Sequence, residues 1–457
     1  MPYENEFAHY KSLKRLADSE RVKSLLGNYQ VQNPSLDDEP AVPLNIKNRD
    51  ELETSQWKPD WVLAIDGSHH EVPIKNGYPG AEASYLTVAS VLINAARTRE
   101  LDQQRPIDPR DFRTIEQAES IDCALPGCNI IYEDEISANS SLRRALFEVL
   151  NTTRLEADNE TLLDTYEALL KYKPDAREQA CPYDEDCPIK GHYRPKNGQY
   201  TCNCEEKRNW YSTDALRVHE RMNPAGANGA IFSEIMQVLE RLWLVHILRV
   251  FEAQNLLSTL RKIAIVLDGP LAVFGQPAWL SGAIFKELSR LNIQVRKATG
   301  GQDLLLLGVE KTGLFVNHFE QIDTDENGSK GKFPSSSVGL LSDEYIKKHI
   351  IFSNSERMYG HATYFGRKFF YKTASGAMIV GSVPFLAEKH RNLNDDDPSQ
   401  FPRIADAVSI IEQLISTRYN NAVTPLVSAH AEAAIPLHLG NKVLAKIAKE
   451  IINNNGN

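Results

Sequence analysis

The chain has 457 residues, of which 42% are hydrophobic and 25% are charged. These are ordinary globular proportions, and they exclude a largely disordered or collagen-like chain. Its 51 lysines and arginines against 61 aspartates and glutamates give a net charge of −10, which argues against a surface coated with positive charge for nonspecific nucleic-acid binding.

No segment approaches the roughly 20 apolar residues that a membrane-spanning helix needs, and the N-terminal segment lacks the apolar core of a secretory signal. We therefore expect a protein without a membrane segment, located in the cytoplasm. Six cysteines are too few for a disulfide framework in a chain of this length, so we interpret clustered cysteines as candidate metal ligands.

Apolar periodicity predicts helices and strands mixed along the whole chain, which is typical of an α/β fold. In chain order, we predict a helix over 5–26, a polar linker over 31–59, strands over 61–65 and 85–94, and an irregular segment over 95–135 with a short strand at 129–132. Two helices follow within 139–172, then a Cys-, Pro- and charge-rich insertion over 174–209, a helix starting at 212–214 and the longest helix over 228–260. The last part contains a strand over 263–267, a helix over 279–290, strands over 291–297, 304–309, 364–373 and 378–380, and helices over 402–417 and 437–453.

Two of the predicted strands lead into an Asp-Gly pair, at Asp66-Gly67 and at Asp268-Gly269. An aspartate at the carboxyl end of a buried strand points into the crevice where α/β sheets bind ligands. Two such carboxylates on neighbouring strands are hard oxygen ligands for Mg²⁺ or Mn²⁺, and paired metal ions clamp the attacking and leaving oxygens of a phosphodiester. Because Asp-Gly is also a common turn dipeptide, a pair of β-turns is the alternative.

A third carboxylate is expected on the helix that precedes Asp268, where Glu234, Glu240 and Glu252 are the candidates. The rise of a helix that runs back along the strand favours Glu240. Glu240 also lies among apolar residues, where a charge without a partner is costly. Glu252 stays open if the helix crosses obliquely, and a solvated helix face is the ordinary interpretation of any single glutamate.

Basic residues near the expected crevice are candidates for DNA binding. Lys311 follows the strand over 304–309 and is placed to hold a phosphate as a point charge. Arg367 and Lys372 interleave with aromatic residues, a pattern typical of proteins that bind single strands. A half-buried strand produces the same alternation, so both interpretations stay open.

Four cysteines, Cys181, Cys187, Cys202 and Cys204, lie close together in the polar insertion, with His192 between them. Clustered thiolates suit a structural Zn²⁺ ion that stabilises a loop too small to have its own core. We predict that these four cysteines bind Zn²⁺, with His192 as an alternative ligand. Incidental free thiols are the competing interpretation.

The order and separation of these motifs resemble the NurA nucleases. The likeness rests on the strand with Asp66-Gly67-Ser68, a helix with an acidic residue, the second strand with Asp268-Gly269, and the late segment Pro425-Leu426-Val427-Ser428-Ala429-His430. The resemblance implies an RNase H-like or PIWI-like mixed sheet flanked by helices, here with a zinc-stabilised insertion. It also implies that Asp66 and Asp268 bind Mn²⁺ or Mg²⁺ and that His430 is an active-site histidine. The family's usual spacing favours Glu252 over Glu240 as the third carboxylate, so both stay open.

The family's usual tyrosine shortly before the histidine is missing here, and the nearest one is Tyr419. The resemblance further implies a 5′→3′ exonuclease and single-strand endonuclease. Such a protein acts as a homodimer with a hexameric HerA-type ATPase that translocates DNA, in DNA-end processing or in defence against foreign DNA. The alternatives are a non-catalytic, zinc-stabilised adaptor that docks DNA to the ATPase and a phosphatase-like phosphoryl-transfer enzyme.

This interpretation divides the chain into two parts. Residues 1–56 form an N-terminal helical arm and linker, and residues 57–457 form the nuclease domain. An insertion over about 100–230 interrupts that domain, and it contains the Cys-rich segment 181–204.

Overall fold

A computed structural model describes most of the chain. The described residues are 10–29, 42–52, 56–75, 80–100, 116–155, 159–173, 194–203, 207–325, 328–416, 419, 421–434, 443–447 and 450. The strands are β1 (Asn45–Asn48), β2 (Trp61–Lys75), β3 (Ala81–Asn94), β4 (Glu116–Pro126), β5 (Gln199–Thr201), β6 (Asn209–Tyr211), β7 (Ile263–Asp268), β8 (Leu306–Glu310), β9 (Ser337–Leu340), β10 (Gly366–Lys372) and β11 (Met378–Pro384). The helices are α1 (Tyr10–Asp18), α2 (Glu20–Gly27), α3 (Ala95–Glu100), α4 (Ala138–Thr152), α5 (Leu162–Leu170), α6 (Gly229–Ala253), α7 (Trp279–Thr299), α8 (Leu314–Asp323), α9 (Asp343–His349), α10 (Ile404–Leu414) and α11 (Thr424–Ala433).

Nine strands form one sheet in the order β1-β9-β10-β11-β8-β7-β2-β3-β4. The central strands β2, β7 and β8 pair in parallel, and the other pairs are antiparallel. Strands β5 and β6 form a separate small hairpin. The predicted α/β fold with a mixed sheet flanked by helices is therefore confirmed. None of the described helices is both long and apolar enough to cross a membrane.

Helices cover both faces of the central strands. Ile65 and Leu267 point to the layer of α4–α7, whereas Ala64 and Val266 point to the layer of α10 and α11. Parallel strands that are buried on both faces consist of continuous apolar residues. For this reason the sequence predicted the first part of β2 and nearly all of β7. The same alternation places the residue after Ile65 and the residue after Leu267 on the α10–α11 side.

Three segments differ from the sequence-based expectations because of sheet pairing. Strand β2 does not stop before Asp66 but continues to Lys75, paired with β3 over its whole length. Strand β1 lies in the segment expected to be a linker and pairs with β9. Strand β4 lies in the segment expected to be irregular and pairs with β3, while 129–132 contains no strand.

Two helices also differ from expectation. The segment 291–297 is not a strand but the second half of α7, because Leu288, Leu291 and Val295 are buried at helical spacing while Ile293 is 54% exposed. The N-terminal helix is broken into α1 and α2 at Ser19, whose side chain caps α2 by accepting from the Val22 N–H. Of the expected helix over 437–453, only 443–447 and 450 are described, and they are helical.

Removing a buried carboxylate on the α4 side of the sheet should destabilise the fold. Arg143 Nε and Nη2 donate to the two oxygens of Asp214 at 2.7 and 2.5 Å, and both side chains are at most 3% exposed. Because Asp214→Ala leaves this guanidinium buried without its carboxylate, we expect the free energy of unfolding in urea to fall by about 3–5 kcal/mol.

The matched control is Lys23→Ala, which removes an ion pair with Glu20 at the surface. This variant should change the free energy of unfolding by less than about 1 kcal/mol. Equal urea midpoints for the Asp214 and Lys23 variants would contradict the prediction.

Candidate active site

Asp66 and Asp268 lie side by side on neighbouring parallel strands. The pairing of β2 with β7 runs from Trp61 opposite Ile263 to Ile65 opposite Leu267, so the next residue on each strand is an aspartate at the same level. The Asp66 side chain is 3% exposed and that of Asp268 is 26% exposed. The alternative of two β-turns is wrong for Asp66, because this residue lies inside a continuous strand.

Glu240 reaches the same place from α6, on the opposite face of the sheet. It is 4% exposed, and its Oε1 atom lies so close to Gly67 that a Cβ atom at position 67 would be 2.6 Å from it. A side chain at position 67 would therefore displace the Glu240 carboxylate from this place. The Gly67 N–H donates to Asp66 Oδ1 at 2.8 Å and also stabilises the Glu240 carboxylate. Three carboxylates thus surround the end of β7.

Cationic side chains from three other positions partly neutralise this cluster. Lys311, directly after β8, places Nζ 2.9 Å from Asp268 Oδ1 and 3.8 Å from Asp66 Oδ2. His430 on α11 places Nδ1 2.9 Å from Asp66 Oδ2. Arg241 pairs with Glu240. Each carboxylate therefore faces at least one cationic or ionisable group.

Burial and mutual repulsion shift the ionisation of this cluster. Burial and the charge of Asp268 raise the pKa of Asp66 to about 6, although Lys311 and His430 act in the opposite direction. Burial raises the pKa of Glu240 to about 8, with Arg241 opposing and the two aspartates adding to the rise. The site therefore holds more negative charge than its own cations stabilise, and it favours uptake of a proton or of a further cation.

The donor set fits a hard divalent cation, as carboxylate oxygens are the ligands that Mg²⁺ and Mn²⁺ prefer. Asp268 Oδ1 is buried and accepts no hydrogen bond from the described residues. It forms an ion pair with the Lys311 ammonium. The described residues contain no group of three or more His, Cys, Asp or Glu side chains already arranged as metal ligands. As the residues stand, the two aspartates share one ammonium and Glu240 is held by Arg241.

Asp66 and Asp268 line a cavity of about 960 Å³, together with Lys311, His430 and Tyr419. The aromatic side chains Phe274, Phe315, Tyr359 and Tyr364 form another part of its lining, with Glu310 and Lys368. The volume is at the upper end of the range typical of ligand sites.

Glu252, the second candidate for the third carboxylate, lies away from this cluster. Its two oxygens accept from the Arg290 guanidinium on α7 at 2.7 and 2.8 Å. Glu234, the remaining candidate, accepts from the Arg221 guanidinium and from the Gln276 N–H. Of the three candidates, the structure brings only Glu240 next to Gly67 and the two aspartates.

Arg367 and Lys372 do not form a DNA-binding surface, and the sequence-based expectation for them is corrected here. Arg367 is 1% exposed and its guanidinium donates to the backbone oxygens of Asn392 and Asp395. Lys372 is 5% exposed and pairs with Asp323 at 2.5 Å. Side chains that are buried and paired in this way present no charge to a phosphate, because β10 is covered on both faces.

Most of the predicted zinc ligands lie outside the described residues. These are Cys181, Cys187, Cys204 and His192. Cys202 is described and is buried beside the β5–β6 hairpin. The zinc site stays a prediction.

Sequence reasoning missed two features of the site. Arg241 follows Glu240 directly in an otherwise apolar stretch, and this adjacency was the available signal for a buried ion pair. The aromatic part of the cavity lining combines Phe274 with residues from two later segments. The periodicity of the sequence does not indicate that such distant positions lie close together. Only the fold brings them together.

Comparisons with known proteins gave a family match and matches to solved structures. The NurA domain family model matches residues 61–435. The crystal structure of the NurA nuclease from Sulfolobus solfataricus is similar to this chain at 11% identity and a TM-score of 0.31, covering 98% of each chain. A comparison with curated proteins found no match.

The raised pKa of Asp66 predicts a loss of stability with rising pH in metal-free buffer. Between about pH 4 and pH 6 the folded state retains a proton on Asp66 that the unfolded state releases. The ionised carboxylate therefore costs the folded protein about 2–3 kcal/mol above pH 6 and little at pH 4. We expect Asp66→Asn to raise the free energy of unfolding in EDTA at pH 8 and to leave it nearly unchanged at pH 4, as measured by urea denaturation.

Asp60→Asn is the matched control, since the Asp60 carboxylate is 42% exposed and pairs with Lys262 at the surface. It should change the free energy of unfolding little at either pH. Destabilisation by Asp66→Asn at pH 8 would show that burial does not dominate the ionisation of this group.

Proposed function

This chain belongs to the NurA family, and we propose that it hydrolyses phosphodiester bonds of DNA in a reaction that depends on a divalent metal ion. The observation that carries the proposal is the meeting of Asp66 and Asp268 on neighbouring strands, in a cavity that Lys311 and His430 also line, with Glu240 directly beside Gly67. Buried carboxylates with raised pKa values, here Asp66 and Glu240, are typical of functional sites.

Asp66 and Asp268 would hold the metal ion, with Glu240 as the third carboxylate beside Gly67. When bound, such an ion supplies Lewis-acid chemistry at the phosphodiester. Lys311 is then free to orient a phosphate oxygen, since its ammonium no longer has to neutralise the two aspartates. His430 keeps Nδ1 on Asp66, and its 58% exposed ring leaves Nε2 to give or take a proton.

Family membership supports several finer proposals. The chain acts as a homodimer with a hexameric HerA-type ATPase, as a 5′→3′ exonuclease and single-strand endonuclease, in DNA-end processing or in defence against foreign DNA. Its fold is RNase H-like over residues 57–457, with a zinc-stabilised insertion, and it works in the cytoplasm. The competing proposal is a non-catalytic, zinc-stabilised adaptor that docks DNA to the ATPase, and the pairing of the aspartates with Lys311 and of Glu240 with Arg241 is the observation in its favour.

Cleavage of end-labelled single- and double-stranded DNA in Mn²⁺, Mg²⁺ or EDTA tests the proposal, with and without a HerA-type ATPase. We expect metal-dependent cleavage that Asp66→Ala and Asp268→Ala abolish. An inactive wild-type protein under every condition, or normal cleavage by both variants, would make hydrolysis wrong and leave the adaptor.

The structure distinguishes two glutamates that the sequence left open. We expect Glu240→Gln to lower the rate of cleavage by about 100-fold or more, because it replaces the third carboxylate, a candidate metal ligand, with a neutral amide. Glu252→Gln should retain activity, since Glu252 only pairs with Arg290. The opposite result in the same gel assay would move the third carboxylate to Glu252.

Removing the Lys311 ammonium should tighten metal binding and slow catalysis. Lys311 competes with a cation for Asp66 and Asp268, so we expect Lys311→Met to bind Mn²⁺ about 10-fold more tightly in calorimetric titration. Cleavage should slow by about 10-fold or more because the phosphate loses its partner. Lys297→Met, an exposed position on α7, is the control for loss of a positive charge. Weaker Mn²⁺ binding by Lys311→Met would show that the ammonium supports the metal site.

A further inference from the structure

Four aromatic rings in mutual contact form a continuous wall in the cavity that Asp66 and Asp268 line. Phe274 meets Tyr364 edge to face with ring centroids 5.6 Å apart. Tyr364 lies 5.2 Å from Tyr359, and their hydroxyl groups hydrogen-bond at 2.9 Å. Phe315 completes the wall 5.6 Å from Tyr359. All four rings line the cavity that contains Asp66 and Asp268.

Phe274 is the exposed member of this wall, and its loop is held firmly. Its side chain is 38% exposed, yet its N–H donates to Gln237 Oε1 at 2.8 Å. On either side, the Gln276 N–H donates to Glu234, and the Val273 N–H donates to the Thr363 oxygen at 2.8 Å. A large apolar ring is thus kept in solvent contact by a rigid support, which is the arrangement of a preorganised binding site.

The Lys368 ammonium lies over two rings of the aromatic wall, 3.9 Å from the centroid of Phe315 and 5.0 Å from that of Tyr364. It pairs with Glu310, which also lines the cavity. Phe315 is only 4% exposed, so Phe274 is the ring of the wall that offers an exposed apolar surface to a ligand. An exposed aromatic ring on a rigid support is suited to stacking with a planar heteroaromatic ring.

We infer that Phe274, supported by Tyr364, Tyr359 and Phe315, stacks on an unpaired nucleobase of the DNA strand whose phosphodiester lies at Asp66 and Asp268. The inference rests on the proposed function for the identity of the strand. A base stacks on an aromatic side chain through its π-face, whatever its sequence. Stacking on Phe274 requires the base to leave its own helical stack, so the strand is unpaired where it enters the cavity.

The test separates contacts to the base from contacts to the backbone. A fluorescein-labelled oligothymidylate about 12 nucleotides long is compared with an abasic strand of equal length, by fluorescence anisotropy in EDTA. We expect wild-type protein to bind the oligothymidylate more tightly than the abasic strand. Phe274→Ala should weaken binding of the oligothymidylate by about 5- to 150-fold and leave binding of the abasic strand unchanged.

Two further variants distinguish loss of the aromatic ring at position 274 from a general loss of structure. Phe274→Tyr keeps an aromatic face and should restore the preference for bases. Phe352→Ala removes a phenylalanine that is 50% exposed outside the cavity, and it should bind both strands like wild type. Thermal unfolding of all variants in the same buffer monitors folding.

Equal affinity of wild-type protein for the two strands would overturn the inference. An equal loss of affinity for the oligothymidylate and for the abasic strand in Phe274→Ala would also overturn it. Since no cleavage occurs in EDTA, this result is independent of the proposed reaction. Base-dependent binding by a protein that cleaves no DNA would retain the base site and overturn hydrolysis. Metal-dependent cleavage without base-dependent binding would retain hydrolysis and overturn the base site.

Discussion

The crowding of three carboxylates, two of them buried, at the end of one short strand is the constraint on which the rest of the site depends. An uncompensated buried charge costs several kcal/mol, and Asp66, Glu240 and Asp268 repel one another as well. Lys311 and His430 must therefore come from the end of β8 and from α11 to the same point. The convergence of these elements on β7 follows from the need to neutralise charge.

Helix α6 contacts both the carboxylate cluster and the loop that bears Phe274. Glu240 lies beside Gly67, and Arg241 donates to the backbone oxygens of Pro270 and Ala272 at 3.0 and 3.2 Å. Gln237 and Glu234, about one and two turns earlier, accept from N–H groups of the loop that bears Phe274. One rigid helix thus sets the relative position of the carboxylates and the aromatic wall, which precise placement of a substrate requires.

Local patterns predicted the strands and the carboxylates but not the long-range pairs. The apolar runs before Asp66 and Asp268 were visible because central parallel strands are buried on both faces. Glu240 was identified from the rise of a helix and from its apolar neighbours. The burial of Lys372 was not visible, because its partner Asp323 lies far away in the sequence. Contacts between distant parts of the sequence also form the aromatic wall, so the sequence did not predict it. The extension of β2 beyond Ile65 was not predicted either, because it depends on pairing with β3 and not on the polar residues of β2 themselves.

The position of the site follows from a difference in strand length. Strand β7 ends at Asp268, whereas β2 continues to Lys75, so β2 lacks its parallel neighbour beyond Ile65. On that unpaired side the Gly67 N–H turns to the Asp66 carboxylate. Gly269, at φ +78°, takes the chain out of the sheet at the same level. A longer β7 would pair with this N–H and fill the space of the carboxylates, so the short strand is what creates room for the site.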